Sequence, residues 1–482
     1  MSLTRKVAYN FSVQIAGKAI NTIIGILNVA IITRYLGVAG YGDYTTTFAY
    51  IAFFSVISDF GFFWIIIKRI TAGEGDEFVI KNSLSIRFIF AALVFLIALI
   101  LLPFLPYTSI LKWAIVLAAF SIFWSSQTSV YTALFQAKLK MDFAVISEVT
   151  ARVISMGLII LAVKLNQGLL WVVGASLAGT LINFVISFIF SFRFVKPSFG
   201  INKSFAKQFL LEALPIGVVS ILGLIYFKVD TVILSLYKSN IDVGIYGTPY
   251  KILEILMATP LMFVGSVFPA LSTAFASSDH AKMKTLFQKS FDLLSIGAFG
   301  VMAVVIALAK PITNLIAGKE FLNASTVVLW NRPISADIVL QVLIFAVGIS
   351  FFNSLLTNSV VIFGKQNRLL KPYFIATVFN LAANILLIPI YSYLAAAVTT
   401  VVTELIILIY CWLIVRKEAP VKIEYEKFFL TMLVGLITFG MLFVFKNFSL
   451  FFTIPLALAV YGFGLLASGV INKETFIKLA QK

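Results

Sequence analysis

The chain has 482 residues, 61% of them apolar and 12% charged, with a formal net charge of +17. Soluble domains run at roughly 45–50% apolar and about 25% charged, so the composition excludes a water-soluble globular protein and makes the bilayer the solvent. A single cysteine, Cys411, excludes an intramolecular disulfide, and with one histidine, His280, there is no Cys/His metal cluster.

A hydrocarbon core about 30 Å thick needs about 20 mostly apolar helical residues, because lipid cannot satisfy backbone N–H and C=O groups. The chain therefore reads as an all-α polytopic membrane protein of about 14 transmembrane helices. In chain order the expected spans are Phe11–Leu36, Tyr44–Ile67, Ser83–Leu105, Ser109–Phe135, Ala144–Leu165 and Gly168–Phe194. Leu214–Tyr237, Tyr246–Leu271, Phe291–Ala317, Ala336–Phe363, Tyr373–Ile390 and Tyr393–Val415 follow, then Phe428–Phe445 and Ser449–Val470. The split at Tyr391-Ser392 rests on a very short turn. The first span is too long and too polar for a cleavable signal peptide and is expected to stay as helix one.

Cationic residues bias cytoplasmic connectors. With the N-terminus inside, Arg5, Lys6, the even-numbered connectors and the C-terminal tail to Lys482 hold 25 of the 37 Lys and Arg residues. The other side holds 8, namely Arg34, Lys112, Lys164, Lys238, Lys310, Lys319, Arg332 and Lys446. Both termini are therefore expected in the cytoplasm, and the high net charge follows from this asymmetry rather than from nucleic-acid binding. His280, beside Asp279 in a cytoplasmic connector, reads as solvated.

A weak internal repeat is present. Tyr41-Gly42-Asp43-Tyr44 after the first span matches Val243-Gly244-Ile245-Tyr246 after the seventh, at an offset of 202. Phe123-Trp124-Ser125-Ser126 matches Phe351-Phe352-Asn353-Ser354 at an offset of 228, and the same offset pairs Phe135 with Phe363 and Lys140 with Arg368. The extra residues of the second copy fall around Lys319–Ser335, an expected external loop or short surface helix. Two six-helix lobes follow, residues 1–200 and 201–420, with a terminal helix pair and cytoplasmic tail over 421–482. An even helix number relates the lobes by a pseudo-twofold axis along the membrane normal, the parallel-repeat arrangement of transporters.

A charge at the centre of a spanning helix costs about 2.5–3.5 kcal/mol on insertion scales, so such residues face a partner or a water-filled cavity. Lys18, Asp59, Glu148 and Arg152 fall in the cytoplasmic half of the first lobe. Lys228, Asp230, Lys251 and Glu254 fall in the outer half of the second, and Glu404 lies near mid-depth. Glu148/Arg152 (i, i+4) and Lys251/Glu254 (i, i+3) can neutralise each other within one helix. Lys228 and Asp230, two apart, point in different directions and each needs its own partner or water. Lys18 shares a polar face with Gln14 and Asn21, and can pair with Asp59 across the first hairpin. By depth, Asp230, Asn380, Asn384, Thr399 and Thr403 can also meet, and one carboxylate with neutral oxygens suits a hard monovalent cation. Interhelical hydrogen bonding is the alternative use of those groups. No nucleotide loop, HExxH motif or large extramembrane loop is present, so no enzymatic set is expected and transport would draw on an ion gradient or membrane potential.

The fourteen-span layout, the two lobes plus terminal pair, and Ile32-Thr33-Arg34-Tyr35-Leu36-Gly37 followed by Tyr41-Gly42-Asp43-Tyr44 resemble the polysaccharide-biosynthesis flippases. These belong to the multidrug/oligosaccharidyl-lipid/polysaccharide exporter superfamily. The resemblance implies flipping of a polyprenyl-pyrophosphate-linked oligosaccharide across the cell membrane by alternating access, in a protein expected to be monomeric, with membrane lipids around it and no nucleic-acid partner. It assigns Lys18, Lys228 and Lys251 to a cationic substrate cavity and makes Arg34 a candidate gate. Asp59 and Glu254 depart from a purely cationic cavity and would neutralise the lysines or carry protons. It also places a candidate coupling site for Na+, with H+ as the other candidate ion, on Asp230, Asn380, Asn384, Thr399 and Thr403. Asn occupies positions where an acidic group would complete the charge. A multidrug or organic-cation antiporter of the same superfamily is the alternative, and it would favour acids over the three lysines.

Overall fold

The structure is a computed structural model that describes residues 3–418, 423–445 and 448–471. Lys446 and the tail ending at Lys482 lie outside the described residues. The described chain is helical apart from short connectors and one two-residue β-ribbon. It divides into two compact units, residues 1–244 and 245–482, with the boundary inside one helix.

In the first unit, α1 (Leu3–Asp59) covers the first expected span and most of the second. It is interrupted at Gly37, whose φ of 67° and ψ of −174° belong to a region that only glycine enters freely. A second break follows Asp59, where Phe60 and Gly61 have φ of 43° and 75° before the chain resumes as α2 (Phe62–Thr71). Glycine is required at position 61 twice over, because a Cβ there would also sit 2.5 Å from Ile216 Cγ2. Next come α3 (Asp76–Leu101), α4 (Ser109–Ala119), α5 (Ser121–Ala137), α6 (Met141–Lys164), α7 (Leu169–Ser191) and α8 (Lys203–Tyr237). The α5–α6 turn is held by Asn10 of α1, whose Nδ2 donates to Leu139 O at 2.6 Å and whose Oδ1 accepts from Met141 N at 2.7 Å.

Two apolar cores organise this unit. One is aromatic, built on Phe62, Phe135, Phe205 and Phe209, with the Phe62 and Phe209 rings stacked at 5.1 Å. The other mixes Tyr50, Ile51 and Phe54 with Ala91, Ala98, Ala114, Ala118 and Ala119, small side chains that let helices approach closely where lipid supplies no hydrophobic drive. At the end of the unit, α9 (Asn240–Ala276) begins and its first turn crosses α1 with no space for side chains. A Cβ on Gly42 would lie 1.7 Å from Asn240 O, and one on Gly244 would lie 2.1 Å from Val38 O.

The second unit holds the rest of α9, with Pro249, Pro260 and Pro269 inside it, and α10 (His280–Ala317). The extra segment of the second repeat forms α11 (Glu320–Asn323) and strands β1 (Val328–Leu329) and β2 (Arg332–Pro333). Trp330 and Asn331, both at positive φ, make the two-residue turn of that ribbon, whose sense matches strand twist. Then follow α12 (Ala336–Ile362), α13 (Leu370–Glu418), α14 (Glu426–Val444) and α15 (Leu450–Ala467). α13 contains two expected spans and breaks at Ser392, φ 50°, in the short connector read from the sequence.

Among the described residues, twelve helical stretches are long and apolar enough to cross a bilayer. Two of them, of 60 and 53 residues, each contain two of the expected spans, at the Gly37 and Ser392 interruptions. Large apolar side chains such as Trp113, Leu386 and Phe451 stand exposed along these helices, as hydrocarbon solvent permits.

Candidate functional site

In the first unit the cations divide into paired and unpaired. Lys18, on the first crossing of α1, is exposed and makes no ion pair among the described residues, while Asn21 one turn on is buried with its Oδ1 unpartnered. Lys18 does not meet Asp59. Arg87 on α3 takes that place, its Nη2 donating to Asp59 Oδ1 at 2.7 Å. Ser129 Oγ of α5 donates to the same oxygen at 3.2 Å, and Arg87 Nε donates to Ser126 Oγ at 3.3 Å. The Arg87 side chain is 1% exposed and Asp59 is 38% exposed, so the pair has one sealed and one open end. The Phe62 ring faces the guanidinium at 5.7 Å. Arg87 is not among the charges singled out from the sequence; the signal that marks it is its place four residues inside the third expected span.

Near the end of α2, Arg69 is buried beneath a second cluster. Its Nη2 donates to Glu212 of α8 at 2.8 Å, its Nη1 to Glu74 at 3.1 Å, and its guanidinium lies 4.5 Å from the Phe205 ring centroid. Lys68 joins Glu212 at 3.1 Å. Glu148 and Arg152 form their expected intrahelical pair at 3.1 Å. Lys228 is partly buried on α8, and Arg34 is exposed near the Gly37 break. Asp230 is 3% exposed, and its Oδ1 accepts from Thr231 N at 2.6 Å and Thr231 Oγ at 3.2 Å.

In the second unit Lys251 Nζ donates to Glu254 at 2.8 Å, the expected i, i+3 pair. Asn380, Asn384, Thr399 and Thr403, all buried on α13, come together across its Ser392 break. Asn380 Nδ2 donates to Thr403 Oγ1 at 3.1 Å, Asn384 Nδ2 to Asn380 Oδ1 at 3.0 Å, and Thr403 Oγ1 to Thr399 O at 2.6 Å. This chain of donors runs from Asn384 to Thr399 O and leaves Asn384 Oδ1, a fully buried acceptor, without a hydrogen-bond partner among the described residues. A neutral oxygen left over in this way suits a hard monovalent cation. Beside it, Asn353 of α12 donates through Nδ2 to Glu404 Oε2 at 2.6 Å, a contact that the sequence left unassigned. His280 is exposed at the start of α10 and Cys411 is buried. Among the described residues no cluster of His, Cys, Asp and Glu could hold a metal ion.

The second unit also carries an apolar recess of about 450 Å3, lined by Phe291, Phe299, Phe352, Trp412, Tyr425 and Phe428 among others. Its walls offer hydrocarbon contact and almost no hydrogen bonding, so sugar or phosphate has no place there.

The all-helical fold, with buried charges on membrane-length helices, is shared with solved membrane transporters. An inward closed conformation of the lipid II flippase MurJ superposes with a TM-score of 0.76 over 97% of this chain and 99% of that one, at 14% identity. An inward-facing multidrug resistance MATE transporter of the MOP superfamily gives 0.63 over 83% and 95%, also at 14% identity. These likenesses establish the fold. The polysaccharide biosynthesis protein family model matches residues 5–275, more than half of the chain, and the chain belongs to that family. It is also 22% identical over 231 residues to the probable low-salt glycan biosynthesis flippase Agl15 of Haloferax volcanii, a match covering 47% of this chain and 46%, less than half, of that protein. The protein is thus a multi-pass membrane protein of the polysaccharide biosynthesis family.

Proposed function

We propose that the protein is a flippase that moves a polyprenyl-pyrophosphate-linked oligosaccharide across the cell membrane by alternating access, and that it is a transporter rather than an enzyme. The observation that carries this within the family is Lys18, an exposed ammonium at membrane depth without an ion-pair partner among the described residues. A charge there is tolerated on a water-filled path and supplies a counter-charge for pyrophosphate. Lys228 and Lys251 are assigned to the same task, Lys251 with its charge shared with Glu254. Arg34 is assigned to gating. The apolar recess of the second unit suits part of the polyprenyl tail. Export of an anion is favoured by an inside-negative potential, and with both termini in the cytoplasm the cation asymmetry has its usual sense. Sodium at Asn380, Asn384, Thr399 and Thr403 would add a second driver, supported by the leftover acceptor on Asn384.

The test is translocation of a fluorescent polyprenyl-pyrophosphate oligosaccharide in liposomes, with and without a potential or a sodium gradient. Lys18→Ala or Lys228→Ala should abolish it while membrane abundance stays near normal; full activity in both would remove the cationic-path idea. The organic-cation antiporter reading draws on the half-open Asp59 carboxylate. Gradient-driven uptake of organic cations, with no movement of the glycan lipid, would decide for it.

A further inference from the structure

We infer that Asp59, fixed by Arg87, is the acceptor that reads sugar hydroxyls on the transported lipid-linked glycan; this rests on the flippase reading. The pair sits where α1 breaks at Phe60–Gly61, a rigid point because Gly61 and Gly217 leave no room between the break and α8. One carboxylate oxygen is pinned from α3 by Arg87 and from α5 by Ser129, while the side chain keeps 38% of its surface open. A carboxylate open to hydrocarbon at this depth would be costly, so its open side belongs to a water-accessible path.

The charge balance selects the ligand class. Arg87 already compensates Asp59, so the site has no net charge with which to hold a bare cation. Among the described residues no other charged side chain pairs with Asp59 or Arg87: α5 supplies Ser126 and Ser129, α8 supplies Ile216 and Gly217 at the break, and Glu212 is taken by Lys68 and Arg69. Phosphate, with acceptor oxygens only, finds no donor on the open side of the carboxylate and has nothing to hold it there. A neutral hydroxyl donor meets none of these objections, and its hydrogen bond to an ionised acceptor is about twice as strong as a neutral one. Neutralisation by Arg87 also lets an acid line the same path as Lys18 without opposing pyrophosphate.

A second observation points to a polar ligand on this seam. Arg87 Nη1, Ser83 Oγ one turn before it, Gln127 Oε1 next to Ser126, and Ser58 Oγ next to Asp59 are all buried without hydrogen-bond partners among the described residues. Buried polar atoms are paired in the great majority of cases; one of these four belongs to the ion pair itself and the other three to residues beside it in sequence. Bridging water is called for at Arg87 Nη1, and such water accompanies a hydroxylated ligand.

The test compares two probes on purified protein in nanodiscs: decaprenyl pyrophosphate, and the same lipid carrying an N-acetylglucosamine disaccharide. Asp59→Asn should weaken binding of the disaccharide lipid about 10-fold or more and leave the sugar-free lipid within about twofold. Asp59→Glu, which keeps the charge and moves the oxygens, should fall between. Equal losses for both lipids would reduce the pair to a structural bolt and overturn the inference, as would no loss for either or a wild type that does not distinguish the lipids. Should Asp59→Asn unfold by leaving Arg87 unpaired, the double variant Asp59→Asn/Arg87→Gln removes both charges and must show the same sugar-dependent loss. A wild type that binds neither lipid would instead overturn the flippase reading itself.

Discussion

Gly42→Ala should lower the stability of the first unit even though alanine is the better helix former. Gly42 lies within α1 and is not at positive φ, so the substitution alone would gain up to about 1 kcal/mol of helix propensity. Against this, the new methyl would lie 1.7 Å from Asn240 O, where ordinary contact begins at 3.4 Å. The two segments would have to part by about the difference, and the obstacle is backbone, which has no rotamer to change. Overpacking of this kind costs about 1–3 kcal/mol, and a full backbone collision belongs at the upper end, leaving a net loss of about 2 kcal/mol. At about 2–4 °C per kcal/mol for units of 150–250 residues, the midpoint should fall by about 4–8 °C. The assay is heat challenge of detergent-purified protein followed by size-exclusion chromatography. Gly157→Ala on α6 is the control, since nothing lies within 4 Å of its Cβ position, and it should hold or raise the midpoint. Adding Gly244→Ala should cost less than its single effect, because one separation accommodates both methyls. Equal midpoints for Gly42→Ala and Gly157→Ala would refute the close crossing.

Two further outcomes follow from the other clusters. If the Asn384 acceptor completes a sodium site on α13, sodium should raise the thermal midpoint of wild type more than potassium does. The gain should vanish in Asn384→Ala; an unchanged gain would exclude the site. In the connector before α14, Lys284 donates to Glu424 at 2.8 Å, and this hydrogen bond, then the Lys284 charge, holds the Glu424 carboxyl below its ordinary value. A lowered folded value means that the contribution is complete above the ordinary glutamate range and is lost as pH falls through the lowered value. Wild type should therefore exceed Lys284→Ala in midpoint by a small margin at pH 7, and the margin should close on acidification and in high salt. A margin that grows as pH falls would reverse the sign and refute the assignment.

What could be read from the sequence divides by how far a contact lies along the chain. Membrane-length apolar runs locate the helices because each run must satisfy its own backbone, and the Tyr391-Ser392 connector appears as the break at Ser392. Glu148/Arg152 and Lys251/Glu254 were legible because helical geometry alone places those side chains together. Asp59 was not, because hairpin adjacency and depth select Lys18, whereas the rotation of α3 about its own axis, which no local pattern records, brings in Arg87. The same blindness hid Asn353 from Glu404. In each unit the segment repeated at an offset of 228 contributes a residue, Ser126 or Asn353, that hydrogen-bonds a buried charge on a neighbouring helix.

The repeated glycines make the limit sharper. Tyr41-Gly42 and Val243-Gly244 match at an offset of 202, and as sequence they testify only to common descent of two segments. In the structure the two copies lie against each other: the Gly42 Cβ position is 3.0 Å from the Gly244 nitrogen, and that of Gly244 is 2.1 Å from Val38 O. Each glycine is thus required by the backbone of the other segment, so neither can be exchanged without moving its copy. A pair of glycines kept by mutual contact needs no turn, cap or positive φ at either position, and neither Gly42 nor Gly244 is at positive φ. The reason for their identity lies in three dimensions, about two hundred residues away along the chain.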